Sequence, residues 1–359
     1  MRCLVFNNTP AHVHMYKHVV RALEEEGHDV LVLARSDECT EALLSYYDLP
    51  YETYGKRSDT VHSLAWELPS HLYTIVRRVR EFGPDVVFGK GPYAAAAGTA
   101  SRTPTIAVLD SEPSLDHVVA RPFVRAILTP SAFRKDLGEK HYRFTGVTET
   151  AYLHPDVFEP DSSIREELGV DRDEPYAIVR FNAFNGHHDV GREGFSLEQR
   201  RRLLSDLADH ATVFVSDEGG DLEITDTEAR PFDLHPAKMH DALAEADLLV
   251  ADTQTMVTEA ALLGTPAIRS NSFVGEDDMG NFLELEEHGL VRNLASFDEV
   301  RDEARALLAD ESAVQTWERR RDEYVDGIDD VTGLLRDIAV SYGGSRSETT
   351  ATGAAGVGR

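Results

Sequence analysis

Short apolar runs alternate along the chain with longer segments in which apolar residues recur every three or four positions. The first kind reads as buried strand and the second as amphipathic helix. Arg2 to Phe6 predicts a strand, Asn7 to Ala11 a turn, and His12 to Glu26 a helix whose apolar positions are Val13, Tyr16, Val19, Val20 and Leu23. Gly27 ends that helix, and Val30 to Leu33 is the next strand. The rhythm continues with a helix at Glu38 to Tyr47, a strand at Tyr51 to Tyr54, a helix at Glu67 to Phe82 stopped by Gly83-Pro84, and a strand at Asp85 to Phe88. An Ala-rich helix (Tyr93 to Ser101) and strands at Thr105 to Leu109 and Ala126 to Pro130 follow. A second series starts at Tyr176 to Phe181 and runs through Leu197 to His210, Val213 to Ser216, Pro236 to Ala246, Asp247 to Ala251, Met256 to Leu263 and Ala267 to Ser270. Helices at Phe282 to His288, Phe297 to Ala309 and Ala313 to Val340 close it. Strands that alternate with helices predict an α/β fold built on parallel sheets.

A chain of 359 residues suits two domains. Prolines and acids at His154-Pro155-Asp156 and Glu159-Pro160-Asp161 mark a hinge, placed at 148–173. The domains on either side are 1–147 and 174–340, and the Gly, Ser, Thr and Ala of 341–359 read as a disordered tail. No apolar run approaches the length of a membrane span, and MRCLVF begins a strand rather than a signal peptide. Cys3 and Cys39, without metal-type spacing, fit a reducing cytoplasm. Acids outnumber bases 64 to 36, for a net charge of −28. Spread over helix surfaces, such a coat predicts a halophilic, archaeal protein kept apart from its neighbours in salt. It argues against a nucleic-acid partner. No basic or apolar surface patch for docking on a membrane is legible.

The stretch with the clearest chemistry is Ala246 to Ser270, in which a strand, a polar turn (Asp252 to Thr255) and a helix follow one another. Free N–H groups and the dipole at the start of such a helix favour a phosphate, so Thr253, Gln254 and Thr255 are candidate binding residues. Glu259, four residues into the helix, can turn toward a sugar hydroxyl; the alternative is an ordinary turn with a solvated Glu. In the first unit GxGxxG is missing, but the loop Asn8 to His14 lies at a strand's carboxyl end, where open sheets place ligands. His12, His14, Lys17 and His18 gather there. They read as a metal site, a surface cluster, or a set for acid–base work and anion binding, with Lys17 reaching a phosphate if it faces the ligand. Lys90 lies in the similar turn Gly89-Lys90-Gly91-Pro92. Asp110 and Glu112, just past a strand, suit acid–base work, sugar hydroxyls or helix capping, with His117 one turn on. Arg180 ends a strand and can grip a diphosphate with its fork, ahead of a polar loop carrying His187, His188 and Asp189.

The 246–270 segment resembles the nucleotide-binding element of GT-B glycosyltransferases and of UDP-N-acetylglucosamine 2-epimerases. There a Ser-Gly-Gly turn holds the diphosphate, and a Glu six residues past the Ser binds the ribose. Glu259 matches that Glu, while Thr253, Gln254 and Thr255 replace the turn and offer hydroxyls instead of glycine's close approach. The wording NNTPAHVHMYKHVVRALEEEGHDVLVLAR and TMVTEAALLGTPAIRS is similar to domain of unknown function 354, over residues 1 to about 310. PAHVH resembles the loop of the GT-B enzyme that adds N-acetylglucosamine to lipid I, with His12 on its His. In the epimerases a catalytic Glu follows the strand before Asp110 and Glu112, and a functional His lies where His187 or His188 does. The epimerases' other acid has no counterpart, since Gly89 and Lys90 stand there. Glu149, Tyr152 and Leu153 match a Glu-x-x-Tyr-Leu run of the look-alike family.

The resemblance implies two Rossmann-like domains facing across a cleft, with a last helix returning to the first domain. It implies a cytoplasmic, metal-independent glycosyltransferase of envelope or glycoconjugate synthesis, with no cofactor beyond its nucleotide-diphosphate sugar substrate. Thr253 and Thr255 would hold the diphosphate, Arg180 would flank it, and Glu259 would take the ribose. His12, or Asp110 with Glu112, would deprotonate a lipid-linked or glycan acceptor. The alternatives are a 2-epimerase-like enzyme and a non-catalytic nucleotide-sugar-binding protein.

Overall fold

The runs Val86–Gly89, Thr105–Val108, Ala126–Pro130 and Leu248–Ala251 are buried at every position. A strand apolar on both faces needs cover on both, and only a sheet sandwiched between helices provides it. The computed structural model, which describes residues 1–56, 61–182, 194–220, 222–275 and 277–354, builds two such sheets. It divides into one unit of Met1–Tyr152 together with the chain from Asp329 onward, and a second of Leu153–Ile328.

In the first unit β1 (Arg2–Asn7), α1 (Pro10–Glu25), β2 (Asp29–Ser36), α2 (Glu38–Tyr46), β3 (Tyr51–Lys56), α3 (Val61–Phe82), β4 (Val86–Gly89) and α4 (Pro92–Ser101) follow in order. Next come β5 (Thr105–Val108), α5 (Asp116–Ala120), β6 (Ala126–Pro130) and β7 (His141–Phe144). The described strands pair in parallel in the order β3-β2-β1-β4-β5-β6-β7. One core cluster joins Leu4, Phe6, Leu33, Tyr54, Val79 and Tyr93, and another joins Ala107, Leu109, Val124, Ile127 and Phe133. Pro10 opens α1 two residues earlier than the apolar pattern indicates, because a helix's first position needs no N–H and suits proline's fixed φ.

Past the single helical turns α6 (Thr150–Leu153) and α7 (Ile164–Leu168), the second unit runs β8 (Tyr176–Phe181), α8 (Leu197–Ala208), β9 (Thr212–Asp217), β10 (Arg230–Pro231), α9 (Met239–Ala244), β11 (Leu248–Ala251) and α10 (Thr255–Leu263). Then come β12 (Ala267–Arg269), α11 (Gly280–Glu287), β13 (Arg292–Asn293), α12 (Phe297–Ala309) and α13 (Ala313–Val325). Its described strands are parallel in the order β10-β9-β8-β11-β12-β13.

The single helix read at Ala313 to Val340 is two. α13 stops at Val325, and α14 (Val331–Ala354) starts after a turn at Gly327 in which Asp330 accepts the Gly333 N–H at 2.9 Å. Asp329 accepts the Thr145 N–H at 2.7 Å, and Val331, Leu335 and Ala339 bury one face of α14 as it packs on α1, β1 and β4. Residues 329–340 therefore belong with the first sheet, not with the second domain to which their apolar pattern assigned them. The backbone of α14 continues to Ala354, into the segment read as a tail, and 355–359 lie outside the described residues.

Gly98 shows how closely α4 rides on β5. A Cβ there would overlap the Thr105 hydroxyl and stand 2.9 Å from the Thr103 carbonyl oxygen. Gly98→Ala should destabilise the first unit by about 1–3 kcal/mol, the usual range for overpacking. Chemical denaturation of the two proteins checks this, and equal midpoints would refute the close approach.

Candidate functional site

In a parallel sheet the helices leaving two adjacent strands diverge where strand order reverses, which opens a crevice at the strands' carboxyl ends. The first sheet reverses between β1 and β4, and the second between β8 and β11.

At the first reversal, the Lys90 ammonium pairs with the Asp110 carboxylate. Thr148 Oγ1 donates to Glu149 Oε2 at 2.9 Å and lies 3.5 Å from the other Asp110 oxygen. Burial would push the Asp110 carboxyl up, but the Lys90 charge and its hydrogen bond hold it below the usual carboxylate range. Asp110 is therefore ionised at neutral pH. Asn8, the first residue after β1, ties the crevice together. Its side-chain amide donates to the Lys90 carbonyl at 3.3 Å, its Oδ1 accepts from Tyr54 OH at 2.7 Å, and its backbone N–H donates to His12 Nδ1 at 3.2 Å. The Arg35 guanidinium lies behind it, 5.2 Å from the centre of the Tyr93 ring.

This geometry revises the role expected of His12. Burial first, then the charge of Lys90, depresses its pKa, with Asp110 opposing, so the ring is neutral. A neutral imidazole whose Nδ1 accepts a hydrogen bond carries its proton on Nε2. His12 thus presents a donor, and the ionised carboxylate beside it is the group able to accept a proton.

Four other first-unit residues lie apart from this cluster. Glu112 accepts the Arg134 N–H at 3.0 Å, and its carbonyl takes Lys135 Nζ at 2.5 Å, so it anchors the loop before β7 rather than doubling Asp110. His117 meets Phe133 edge-on in the same region. Lys17 is buried with Nζ 4.5 Å above the Tyr47 ring and 5.8 Å from that of Tyr152, in a recess of α1 and α2 and not at the strand ends. His14 stacks on Tyr152 there at 5.4 Å. Among the described residues no three His, Cys, Asp or Glu side chains converge to hold an ion.

At the second reversal, Asp252 follows β11 and is buried. Its carboxylate accepts the N–H groups of Asn182 at 2.6 Å and Phe195 at 3.2 Å. Burial raises its pKa to about 6, opposed by the Asn182 hydrogen bond and by Arg200. Thr253 comes next, and its buried Oγ1 has no hydrogen-bond partner among the described residues. Gln254 occupies the N-cap position of α10 without a side-chain cap, and Thr255 is the helix's first residue. The uncapped helix start thus lies beside a buried hydroxyl that has no partner among the described residues, and free N–H groups and a hydroxyl are groups that can hydrogen-bond an anion.

Two neighbours differ from expectation. Arg180 is engaged by Ser216 and Glu218 at the ends of β8 and β9, so an incoming phosphate must compete with a carboxylate. Glu259 is buried, with Oε1 3.0 Å from His240 Nε2 on α9. Val257 to Leu263 are all buried, so α10 has no solvated face there on which Glu259 could stand free. Sequence reasoning also missed Arg269, which has no solvent exposure. It bonds Asn293 at 2.9 Å, pairs with Asp278 and packs 3.6 Å from the centre of the Phe282 ring. Its cue was an Arg ending an otherwise apolar strand. The cue for Asn8 was its place in the first βα loop. His187, His188 and Asp189 lie outside the described residues.

The family model described as protein of unknown function (DUF354) matches residues 4–335. An uncharacterised protein of Methanocaldococcus jannaschii, MJ0665, is 23% identical over 278 residues, covering 73% of this chain and 79% of that protein. Among solved structures, the UDP-GlcNAc 2-epimerase of Neisseria meningitidis bound to UDP-GlcNAc aligns with a TM-score of 0.63 at 12% identity, covering 95% of this chain and 99% of its own. The glycosyltransferase VinC in complex with dTDP gives a TM-score of 0.61 at 16% identity, covering 96% and 100%. These likenesses establish the fold, an α/β chain with two parallel Rossmann-like sheets shared with GT-B glycosyltransferases and UDP-GlcNAc 2-epimerases.

The protonation state of His12 is directly testable. Nitrogen-15 shifts of the labelled protein should show a neutral ring protonated on Nε2 from pH 8 down to about 5, well past the usual imidazole midpoint. Because the folded pKa is depressed, the unfolded chain takes the proton first, so this residue's contribution to stability falls as pH drops below the unfolded value. A midpoint near 6.5 would overturn the assignment.

Proposed function

The chain belongs to the family of proteins of unknown function DUF354, and from that footing we propose that it is a GT-B-type glycosyltransferase using a nucleotide-diphosphate sugar as donor. The observation that carries this reading is the uncapped start of α10 with the buried, unpartnered Thr253 hydroxyl, at the reversal point of the second sheet. Backbone N–H groups there, with Thr253 and Thr255, stabilise the charge of a departing nucleoside diphosphate, which is the largest electrostatic demand of glycosyl transfer. Arg180, once exchanged from Glu218, adds a bidentate contact. Glu259, oriented by His240, is the ribose ligand.

In the first unit Asp110 is the general base toward the acceptor hydroxyl. A carboxylate kept ionised by Lys90 is available at neutral pH, and His12 Nε2–H supplies a hydrogen bond to a sugar or acceptor oxygen. A 2-epimerase reaction calls for a second acid near the sugar's amide-bearing carbon, and Gly89 and Lys90 put a cation in that position. The dispersed acidic coat supports a salt-rich cytoplasmic setting, so assays belong in molar KCl.

The test is thermal melting with UDP, GDP, CMP, dTDP and their sugars. A nucleotide at a hundred times its Kd should stabilise by about 2.7 kcal/mol, a rise of several degrees. Thr253→Val should shrink that rise with little change in the unliganded Tm. Asp110→Asn should keep the rise and lower sugar transfer by roughly a hundredfold or more. No rise with any nucleotide would end the nucleotide-sugar reading. A rise with unchanged turnover in Asp110→Asn would end the assignment of the base.

A further inference from the structure

The short helix α5 and the turn after it are apolar on two opposite sides. His117, Ala120 and Val124 point into the core of the first unit. Leu115, Val118, Val119 and Phe123 are 71, 58, 50 and 57% exposed. Single exposed apolar residues are common, but four within nine positions on one short helix and the turn after it form a cluster of exposed apolar side chains, and such a patch marks a contact surface.

The rim of the ridge identifies its partner. Residues 113–143 contain six Arg and Lys against three Asp and Glu, in a chain whose net charge is −28. Arg121, Arg125 and Arg143 are exposed nearby, and the loop before the strand of Arg143 also exposes Asp136 and Glu139, so the basic excess is carried by the arginines closest in sequence to the ridge. The strand carrying Arg143 is joined to the ridge by Lys140, which donates to the Val124 carbonyl at 2.9 Å, and Arg121 lies over Gly138 in the loop before that strand. Tyr142, on the same strand, is 54% exposed.

We propose that this face docks the protein on an anionic lipid surface, with Phe123 and its aliphatic neighbours entering the headgroup boundary and the arginines pairing with lipid phosphates. Apolar residues framed by basic ones are the composition of an interfacial element. The chain's overall negative charge does not prevent this. Screening confines electrostatics to about 10 Å at 0.1 M salt and about 3 Å at 1 M, so the membrane responds to the arginines in contact with it and not to distant acids, and in molar salt the apolar side chains carry most of the docking. A second copy of the chain meeting the same face would set arginine against arginine. A nucleic acid would leave the four apolar side chains unused. No helix among the described residues is long and apolar enough to cross a membrane, so docking is peripheral.

The proposal stands apart from the nucleotide reading, since its test uses no nucleotide. The whole protein is sedimented with vesicles of phosphatidylcholine alone or mixed with phosphatidylglycerol, at low and high salt. Wild type should pellet with the mixed vesicles, more weakly as salt rises, and little with phosphatidylcholine alone. Val118→Asp/Phe123→Asp should lower the partition coefficient more than about tenfold. Arg121→Gln and Arg125→Gln should each lower it about fivefold. These side chains are exposed, so the melting temperature should not move. The proposal is overturned if wild type stays in the supernatant, if both vesicle types bind it equally, or if the variants bind like wild type. It is also overturned if sedimentation velocity shows wild type to be an oligomer that the double variant dissolves.

Discussion

In each sheet the connections from two neighbouring strands leave in opposite directions, from β1 and β4 in one and from β8 and β11 in the other. Backbone groups at those carboxyl ends have no further strand to pair with, and they must be satisfied by side chains, helix starts or ligand. Every cluster of functional interest in the chain grows from that need. Asn8 uses its backbone N–H, its amide and its carbonyl oxygen on three different partners at the first reversal. Asp252 uses both carboxylate oxygens on backbone N–H groups at the second. Among the described residues, buried polar atoms without a partner at these two places include the Thr253 hydroxyl beside the start of α10, the Thr258 hydroxyl on that helix and Arg35 Nε near the first reversal.

The Asp110–Lys90–His12 group works through mutual electrostatics. Burial opposes ionisation of Asp110, and the Lys90 charge beside it keeps the carboxylate ionised. The same lysine forbids a second positive charge on His12 a short distance away. The set therefore holds one anion, one cation and one neutral donor over the neutral pH range, and its protons come off as a coupled system rather than residue by residue. An acceptor hydroxyl meeting it finds a proton acceptor and a hydrogen-bond donor side by side, the pair that deprotonation with developing charge requires.

Much of this was legible in the sequence wherever the determinant was local. Alternating strand and helix periods, the loop after the first strand and the turn at Thr253 to Thr255 all came from runs shorter than one element. What escaped depended on partners far along the chain. Glu218 takes Arg180 across 38 residues, His240 takes Glu259 across 19, and Tyr47 covers Lys17 across 30. Charge and spacing name these side chains as available, and only packing shows that they are taken. The break after Val325 was hidden because the apolar repeat carries across Gly327 while the chain changes sheets. The ridge at Leu115 to Phe123 was hidden for the opposite reason: an i, i+3, i+4 pattern looks the same whether its residues face the core or the solvent.

Charge at the second reversal imposes a further condition on any diphosphate. Asp217, Glu218, Asp252 and Glu259 lie on or next to the elements that would surround it, so an added dianion meets acids already in place. The structure contains two reliefs. Arg200 bonds Asp217 at 3.1 Å and lies 3.9 Å from Asp252, neutralising the pair from within. Asp252 has a pKa raised to about 6 by burial, and a phosphate brought close to it would raise it further. Phosphate binding that takes up a proton at Asp252 strengthens as pH falls through the range just above 6, opposite to the trend for a site made of fixed cations whose acids stay ionised. The exchange of Glu218 for phosphate on Arg180 has a similar sense, since it swaps one anion for another at a cation that is never left unpaired. The acids around α10 are thus compatible with an anionic ligand because the most buried of them is able to give up its charge.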